Sequence, residues 1–200
     1  MTPSAAIPKF EYRYGMAFDV YAMGFSNRPW AETLEILEAF SIKRLADIRT
    51  VPGSRHTPQF NLQHLQEALP KAGIDYFHLK DLGGFRKPLK TSSANAGWKN
   101  SGFRGYADYM QTDRFREALQ RLIELLTEEK TVYCCTEAVF WRCHRQLVSD
   151  ALVVRGYTVG NIFNPTKVDS HKLTEGVSVV GETITYPGNS QETLIRSLPL

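Results

Sequence analysis

Five short apolar runs alternate with segments that have apolar residues at helical spacing, and this alternation constrains the fold most strongly. The runs are residues 18–25, 44–48, 75–79, 131–135 and 157–162. Between the first two, Trp30, Leu34 and Leu37 mark one face of a helix. Strand–helix alternation with short connections predicts a parallel sheet with helices on both faces. We therefore expect a single α/β domain with a mainly parallel five-stranded sheet of the Rossmann or flavodoxin type.

The chain divides into three regions around this domain. Residues 1–17 form an N-terminal extension, residues 18–163 form the α/β domain, and residues 164–200 form an appendage of the same domain. The stretch "VSVVGETITYPG" in the appendage predicts a small hairpin, with Gly181 and Glu182 at its turn. Two hundred residues suit one domain of this kind.

The composition excludes several classes of protein. A formal charge of +3 without a long Lys/Arg run permits anionic partners but does not require them. No stretch approaches the ~20 apolar residues of a membrane span, and the start of the chain does not resemble a signal peptide. Three cysteines in one cluster do not suit a disulfide framework. We expect a cytoplasmic protein without a membrane partner, and the oligomeric state is left open.

Polar side chains follow the predicted strands at their carboxyl ends. In open parallel sheets, ligands bind outside these ends, so the side chains are expected to line one pocket. They are Ser26 after the first strand, Arg49 and Arg55 after the second, Arg86 after the third, and Glu137, Cys143, His144 and Arg145 after the fourth.

The segment "CCTEAVFWRCHRQL" (residues 134–147) concentrates reactive side chains, and a metal site is one interpretation. Cys135, Glu137, Cys143 and His144 offer suitable ligand types for zinc. However, the paired Cys-x2-Cys spacing is missing, and adjacent Cys143 and His144 are expected to point in different directions on a helix. The sequence therefore predicts neither a metal nor another cofactor.

Two cysteine chemistries are the other interpretations of this segment. A phosphatase-like Cys-x5-Arg loop starting at Cys135 would need arginine at position 141, which is Trp141, and this excludes it. Cys143 at a helix start beside Arg145 favours a thiolate, with Glu137 as general acid or base or orienting His144. Packing is the alternative role for Cys143, and Cys134 and Cys135 are expected to be structural.

Arginine and aromatic residues indicate the type of ligand. Ser26 and the guanidinium groups of Arg49, Arg55, Arg86 and Arg145 are expected to hold a phosphate or another anion. The alternative for Arg49 is an ion pair with Glu137 that braces two loops. Trp98 and Trp141 are candidates for base stacking or a lid, whereas Phe103 and Tyr106 are expected to belong to the core.

Several stretches resemble the bacterial and archaeal family called domain of unknown function 488. They are "MGFSNRPWAETLEIL", "LADIRTVPGSRHTPQFN", "YFHLKDLGG", "FRGYADYM" and "CCTEAVFWRCHRQLVSDAL", with weaker matches at "SHKLTEG" and "TYPG", so that the resemblance runs from residue 18 to 187. The resemblance implies an α/β fold and recurrent polar positions at Ser26, Asp47, Arg49, Glu137, Cys143, His144 and Arg145. Thr136 departs from the alanine or tyrosine usual there.

Two functions follow from these observations. The first is an enzyme that acts on a nucleotide, nucleoside or nucleic-acid substrate, with arginines on the phosphate and Glu137 and Cys143 as chemical groups. The second is a non-catalytic module that binds nucleic acid or a phosphorylated metabolite at the same edge. In both, the expected partner is a phosphate-bearing ligand.

Overall fold

The computed structural model describes residues 18–90 and 94–187, which form eight strands and five α-helices. The strands are β1 (Val20–Gly24), β2 (Arg44–Asp47), β3 (Asp75–His78), β4 (Thr131–Cys135), β5 (Val159–Asn164), β6 (Lys167–Ser170), β7 (Ser178–Val180) and β8 (Thr183–Thr185). The helices are α1 (Trp30–Ala39), α2 (Leu62–Lys71), α3 (Ser101–Tyr109), α4 (Asp113–Leu126) and α5 (Arg145–Val154). None of these helices is long and apolar enough to cross a membrane. The expected extension (residues 1–17) and the chain end (residues 188–200) lie outside the described residues.

The main sheet has six strands in the order β3-β2-β4-β1-β5-β6. The first five are parallel, and β6 pairs antiparallel with β5. The predicted single α/β domain with a mainly parallel sheet and a C-terminal hairpin is thus confirmed, and β6 extends the sheet by one strand. Because β4 lies between β1 and β2, the strand order differs from the usual orders of Rossmann and flavodoxin sheets.

Helices cover both faces of the sheet. Helices α1 and α2 pack on one face, where Ile36 and Leu65 are fully buried, and α3, α4 and α5 pack on the other. Successive side chains of a strand point to opposite faces. Cys134 therefore belongs to the core beneath α1 and α2, whereas Cys135 belongs to the core beneath α5.

Helix α3 is the main element that the sequence pattern did not reveal, since residues 80–104 read as a polar loop. Two glycines, Gly102 and Gly105, interrupt its apolar pattern. Gly105 is required there, because a Cβ atom would meet the carbonyl oxygen of Arg86 at 2.5 Å. This close approach lets Tyr106 reach the core, where its hydroxyl donates to the carbonyl of Leu82 at 2.7 Å.

A buried polar network attaches the tail to the domain. The Asp150 carboxylate accepts hydrogen bonds from His171 Nε2 at 2.8 Å, from the backbone N–H of Thr174 at 3.1 Å and from the Tyr186 hydroxyl at 2.8 Å. The backbone N–H of Tyr186 also donates to the Asn95 side chain at 3.0 Å. The appendage is therefore held by specific hydrogen bonds to α5 and to the loop before α3.

Candidate functional site

The chain leaves the central strands towards different faces of the sheet, and this defines a crevice at their carboxyl ends. After β1 and β2 it passes to α1 and α2 on one face, while after β4 it passes to α5 on the opposite face. Since β4 lies between β1 and β2, the loops on either side of it diverge. Ligands of open α/β sheets bind at such points, so this edge is the candidate site.

Glycines allow the loops at this edge to come into contact. A Cβ atom on Gly24, the last residue of β1, would overlap the carbonyl oxygen of Glu137. A Cβ atom on Gly84 would overlap the imidazole of His144, and Gly83 packs equally closely on the loop after β2. The loops after β1, β2, β3 and β4 therefore contact one another at this edge.

Two sulfur atoms and one imidazole nitrogen meet at this edge. His144 Nδ1 lies 3.7 Å from Cys143 Sγ and 3.9 Å from Cys135 Sγ, and the three atoms all lie within 4.8 Å of one another. Cys143 has an extended backbone (φ −131°, ψ 145°), and the helix begins only at Arg145. The expectation that Cys143 and His144 diverge on a helix is therefore wrong, because neither residue is inside the helix.

The two thiols of this cluster have different acidities. The hydrogen bond with Cys135 holds the pKa of the Cys143 thiol well below its usual value, and nearby His144 and Arg145 lower it further. The same hydrogen bond, together with burial, raises the pKa of Cys135 well above its usual value. Burial also raises the pKa of Cys134, which lies on the other face of the sheet. Cys143 is thus the more acidic thiol of the cluster.

Arg145 supports the cluster from within the protein. Its side chain is almost fully buried, Nε donates to Cys143 Sγ at 3.4 Å, and Nη2 donates to the carbonyl oxygens of Glu137 and Ala138. Among the described residues, no carboxylate forms an ion pair with this guanidinium. Arg145 therefore fixes the loop after β4 and places its positive charge beside the sulfur.

Arg49 has an internal carboxylate partner, and it is not the one considered from the sequence. Its guanidinium forms a forked ion pair with Asp47, with Nη2 2.5 Å from Oδ2, and donates to the carbonyl of Phe60 at 2.6 Å. The Tyr76 hydroxyl donates to the same carboxylate at 2.9 Å. The alternative pairing of Arg49 with Glu137 is therefore wrong: Asp47, two residues away on the same strand end, takes that place.

The remaining residues predicted to hold an anion lie in different environments. Arg86 donates to a carbonyl of its own loop at 2.9 Å and lies 3.8 Å above the Tyr109 ring. Ser26 has a positive φ of 56° and donates its backbone N–H to Thr136 at 2.8 Å. Arg55 is exposed. Of the four arginines predicted to bind phosphate, Arg55 has its side chain in solvent and the other three make internal contacts.

The two tryptophans predicted to contact a base are placed differently. Trp98 stacks on Phe103 at 4.7 Å and contacts Tyr186 at 5.5 Å, so it packs against the core beneath α5. Trp141 is 51 % exposed and lies in the 3₁₀ turn Phe140–Arg142, directly before Cys143. Glu137 is also exposed in this loop. The connection after β4 therefore carries Trp141 and Glu137 as well as residues of the cluster. Trp98 does not lie on this connection.

Exposed apolar side chains occur on the loops at this edge, and the sequence analysis did not single them out as a group. Val51, Phe85 and Leu89 are 70 %, 86 % and 60 % exposed, and they lie on the loops after β2 and β3. We call these three residues together with Trp141 the apolar rim. Exposed cations occur on the same loops, at Arg55, Lys80, Lys87, Lys90 and Arg142.

Cys135 is the cluster residue that the sequence analysis set aside: it was considered as a zinc ligand, but both residues of the Cys134–Cys135 pair were expected to be structural. Strand alternation offered the signal. Of two adjacent strand residues only one can face α5, and Cys143 lies at the end of the connection to that same helix.

These features define a class: a mostly parallel α/β protein with a cysteine–histidine cluster at the carboxyl edge of its sheet and with exposed apolar and cationic side chains on the loops at that edge. The family model "Domain of unknown function DUF488" matches residues 29–152, which is more than half of the chain, and the chain belongs to that family. No curated protein and no solved structure matches the chain.

Proposed function

We propose that this protein is an enzyme that acts on a nucleotide, nucleoside or nucleic-acid substrate at the carboxyl edge of its sheet. The observation that carries the proposal is the arrangement of the edge. The apolar rim and several exposed cations lie on the loops that leave the strands at the same edge as the cluster of Cys135, Cys143 and His144.

The rim supports a ligand that has both aromatic faces and negative charge. Exposed aromatic side chains interleaved with Arg and Lys stack on bases and attract phosphates. Trp141 is followed directly by exposed Arg142, and Phe85 lies two residues before exposed Lys87. A neutral apolar ligand would gain nothing from the cations, so nucleotides and single-stranded nucleic acid fit this rim best.

The arginines proposed to hold phosphate are those whose side chains make no hydrogen bond or ion pair with another described residue. Arg55 and Arg142 are exposed, whereas Arg49, Arg86 and Arg145 already donate to oxygen atoms of the protein. We therefore assign phosphate contacts to Arg55 and Arg142, with the three internal arginines shaping the loops that carry them.

Glu137 and Cys143 are the proposed chemical groups. Glu137 lies on the seven-residue connection between Cys135 and Cys143, and its exposed carboxylate can accept a proton from a substrate or a water molecule. Cys143 serves either as a nucleophile or as a ligand of a catalytic metal. The unpaired cysteines of the described chain suit a reducing compartment, and we propose the cytoplasm.

A non-catalytic binding module is the second candidate. It is favoured by the internal contacts of Arg49 and Arg145, which show that loop bracing accounts for much of the arginine content of this edge. Such a module would use the apolar rim and the cations for affinity and would leave its ligand unchanged. The two candidates share the binding surface and differ only in turnover.

Binding of a fluorescent single-stranded oligonucleotide, measured by anisotropy at several salt concentrations, tests the shared surface. Trp141→Ala is expected to weaken binding by about 1–3 kcal/mol because a base loses its stacking partner. Arg142→Gln is expected to weaken binding to all sequences and to lower the salt slope by about one.

The matched controls lie away from the edge. Val180→Ala changes a residue that is 77 % exposed on β7, and Arg121→Gln removes an exposed cation on α4. Both controls should bind like the wild type. Absence of binding at low salt, or equal losses in Trp141→Ala and Val180→Ala, would contradict the proposed surface.

A further inference from the structure

We propose that Cys135, Cys143 and His144 bind one Zn²⁺ ion through Cys135 Sγ, Cys143 Sγ and His144 Nδ1, with a fourth coordination position left open. This inference goes beyond the proposed function, and its test needs no substrate. It reverses the sequence-based expectation that the chain holds no metal, which rested on ligand spacing and on Cys143 and His144 diverging.

The two nitrogen–sulfur separations of the cluster match the edges of a zinc tetrahedron. Typical Zn–S and Zn–N bonds at tetrahedral angles place sulfur and nitrogen about 3.6 Å apart and two sulfurs about 3.8 Å apart. His144 Nδ1 lies 3.7 Å from Cys143 Sγ and 3.9 Å from Cys135 Sγ. The two sulfur atoms lie within 4.8 Å of each other. An ion between the three atoms can therefore contact all of them after side-chain shifts of up to about 1 Å.

The ligand types favour zinc over the common hard cations. Two sulfurs and an imidazole form a borderline-soft set, whereas Mg²⁺ and Ca²⁺ require oxygen ligands. Two thiolates and a neutral imidazole also neutralise the charge of Zn²⁺. The Glu137 carboxylate is not one of the three converging ligand groups.

The surroundings hold the ligands in place. Cys135 is 8 % and Cys143 3 % exposed, so both sulfurs lie largely outside water. Arg145 Nε donates to Cys143 Sγ at 3.4 Å, which is the kind of outer contact that orients a metal thiolate. The His144 ring packs close to Gly84 and lies 4.9 Å from the Tyr106 ring, measured between centroids. Cys135 is the last residue of β4, and Cys143 and His144 directly precede α5, so rigid elements flank the three ligands.

Three protein ligands indicate a catalytic type of zinc site. Structural zinc sites are closed by four protein ligands, whereas catalytic sites keep one position for water or substrate. The cluster lies at the carboxyl edge, where the apolar rim and Glu137 are also found. Cys143 is then a metal ligand, and Glu137 remains as the group that can accept a proton.

Metal analysis of the purified, reduced full chain tests the inference. After incubation with zinc and removal of unbound ion, the wild type is expected to hold about one zinc per chain. The Cys135→Ser/Cys143→Ser double variant should hold almost none. Cys134→Ala is the matched control, because Cys134 is adjacent in sequence but points to the opposite face, and it should retain the full zinc content.

A second pair of variants separates ligand loss from unfolding. Gly84→Ala forces the His144 ring aside, so zinc affinity should fall at least tenfold while the circular dichroism spectrum is kept. Gly53→Ala, whose added methyl meets nothing within 4 Å, should bind like the wild type. Cobalt in place of zinc should give the wild type a thiolate-to-metal band and intense tetrahedral bands.

Three results would overturn the inference. The first is reduced wild type that holds no zinc after this treatment. The second is a double variant that holds as much zinc as Cys134→Ala. The third is a cobalt spectrum of the wild type without a thiolate band. Because oligonucleotide binding is measured separately, a failed metal site and a failed proposed function are distinguishable.

Discussion

Replacement of Asp47 by asparagine is expected to lower the free energy of unfolding by about 3–5 kcal/mol, since it leaves a buried charge without its partner. Asp47 is fully buried and accepts the forked hydrogen bonds of Arg49, which is only 6 % exposed. The Tyr76 hydroxyl also donates to this carboxylate at 2.9 Å. Asparagine nearly keeps the shape but removes the charge that compensates the guanidinium. Urea denaturation of the full chain measures the loss.

Asp113→Asn is the matched control for this prediction. Asp113 pairs with Arg116 on the surface of α4, where its side chain is 85 % exposed. Exposed pairs of this type contribute little to stability, so the denaturation midpoint should not change measurably. Equal stabilities of Asp47→Asn and Asp113→Asn would show that Asp47 is not needed to compensate the charge of Arg49. Arg49 would then be available to bind an external anion.

Replacement of Asp150 by alanine is expected to have a similarly large effect, about 3–5 kcal/mol, because it leaves three buried donors without an acceptor. These donors are His171 Nε2, the Thr174 N–H and the Tyr186 hydroxyl. The change should also detach the tail from α5 more often, since these hydrogen bonds connect the two. Urea denaturation measures the stability, and faster tryptic cleavage after Lys172 measures the detachment of the tail.

Asp169→Asn provides the comparison, since Asp169 is an exposed acid on β6, close to His171 in sequence. It should leave both stability and cleavage rate unchanged. Asp150→Ala protein with wild-type stability and wild-type cleavage would contradict the role of Asp150 as the anchor of the tail.

The layered α/β fold was predictable because its strands and most of its helices carry periodic apolar patterns. Thr112 marks the start of α4 in the sequence, and its side chain does accept a hydrogen bond from the backbone N–H of Phe115. Gly73 has the positive φ of 71° expected of a residue just after a helix. Helix α3 could not be predicted in this way, because Gly105 interrupts its apolar pattern. The reason for this glycine is the close approach of the Arg86 backbone, which is distant in sequence.

The site was predictable in its location and less so in its contacts. Parallel strands bring their carboxyl ends to one edge, and this predicts that the loop of Ser26 meets the loop of Glu137. The Ser26 N–H does donate to the carbonyl of Thr136, the residue before Glu137. The partners of Arg49 and Arg145 depend on side-chain geometry that a sequence does not contain. Arg49 turns back to Asp47 on its own strand, and Arg145 turns towards carbonyl groups of the preceding loop.

The directions of the Cys143 and His144 side chains decide how the segment of residues 134–147 is interpreted. Two successive helical residues would carry the Cys143 and His144 side chains in different directions, whereas the extended backbone of Cys143 lets His144 Nδ1 lie 3.7 Å from Cys143 Sγ. The conformation of one residue before the helix therefore decides whether the two side chains converge. Sequence patterns place helix ends only to within a few residues, so this outcome required the structure.

Turnover is the property that tests the central claim most directly. A mixture of nucleotides and short oligonucleotides is incubated with the reduced, zinc-treated full chain, and the products are measured by mass spectrometry. We expect a change in ligand mass with the wild type that is absent with Glu137→Gln, although this variant still binds the oligonucleotide. Oligonucleotides that are bound at the edge but recovered unchanged would contradict the enzyme and establish the binding module instead.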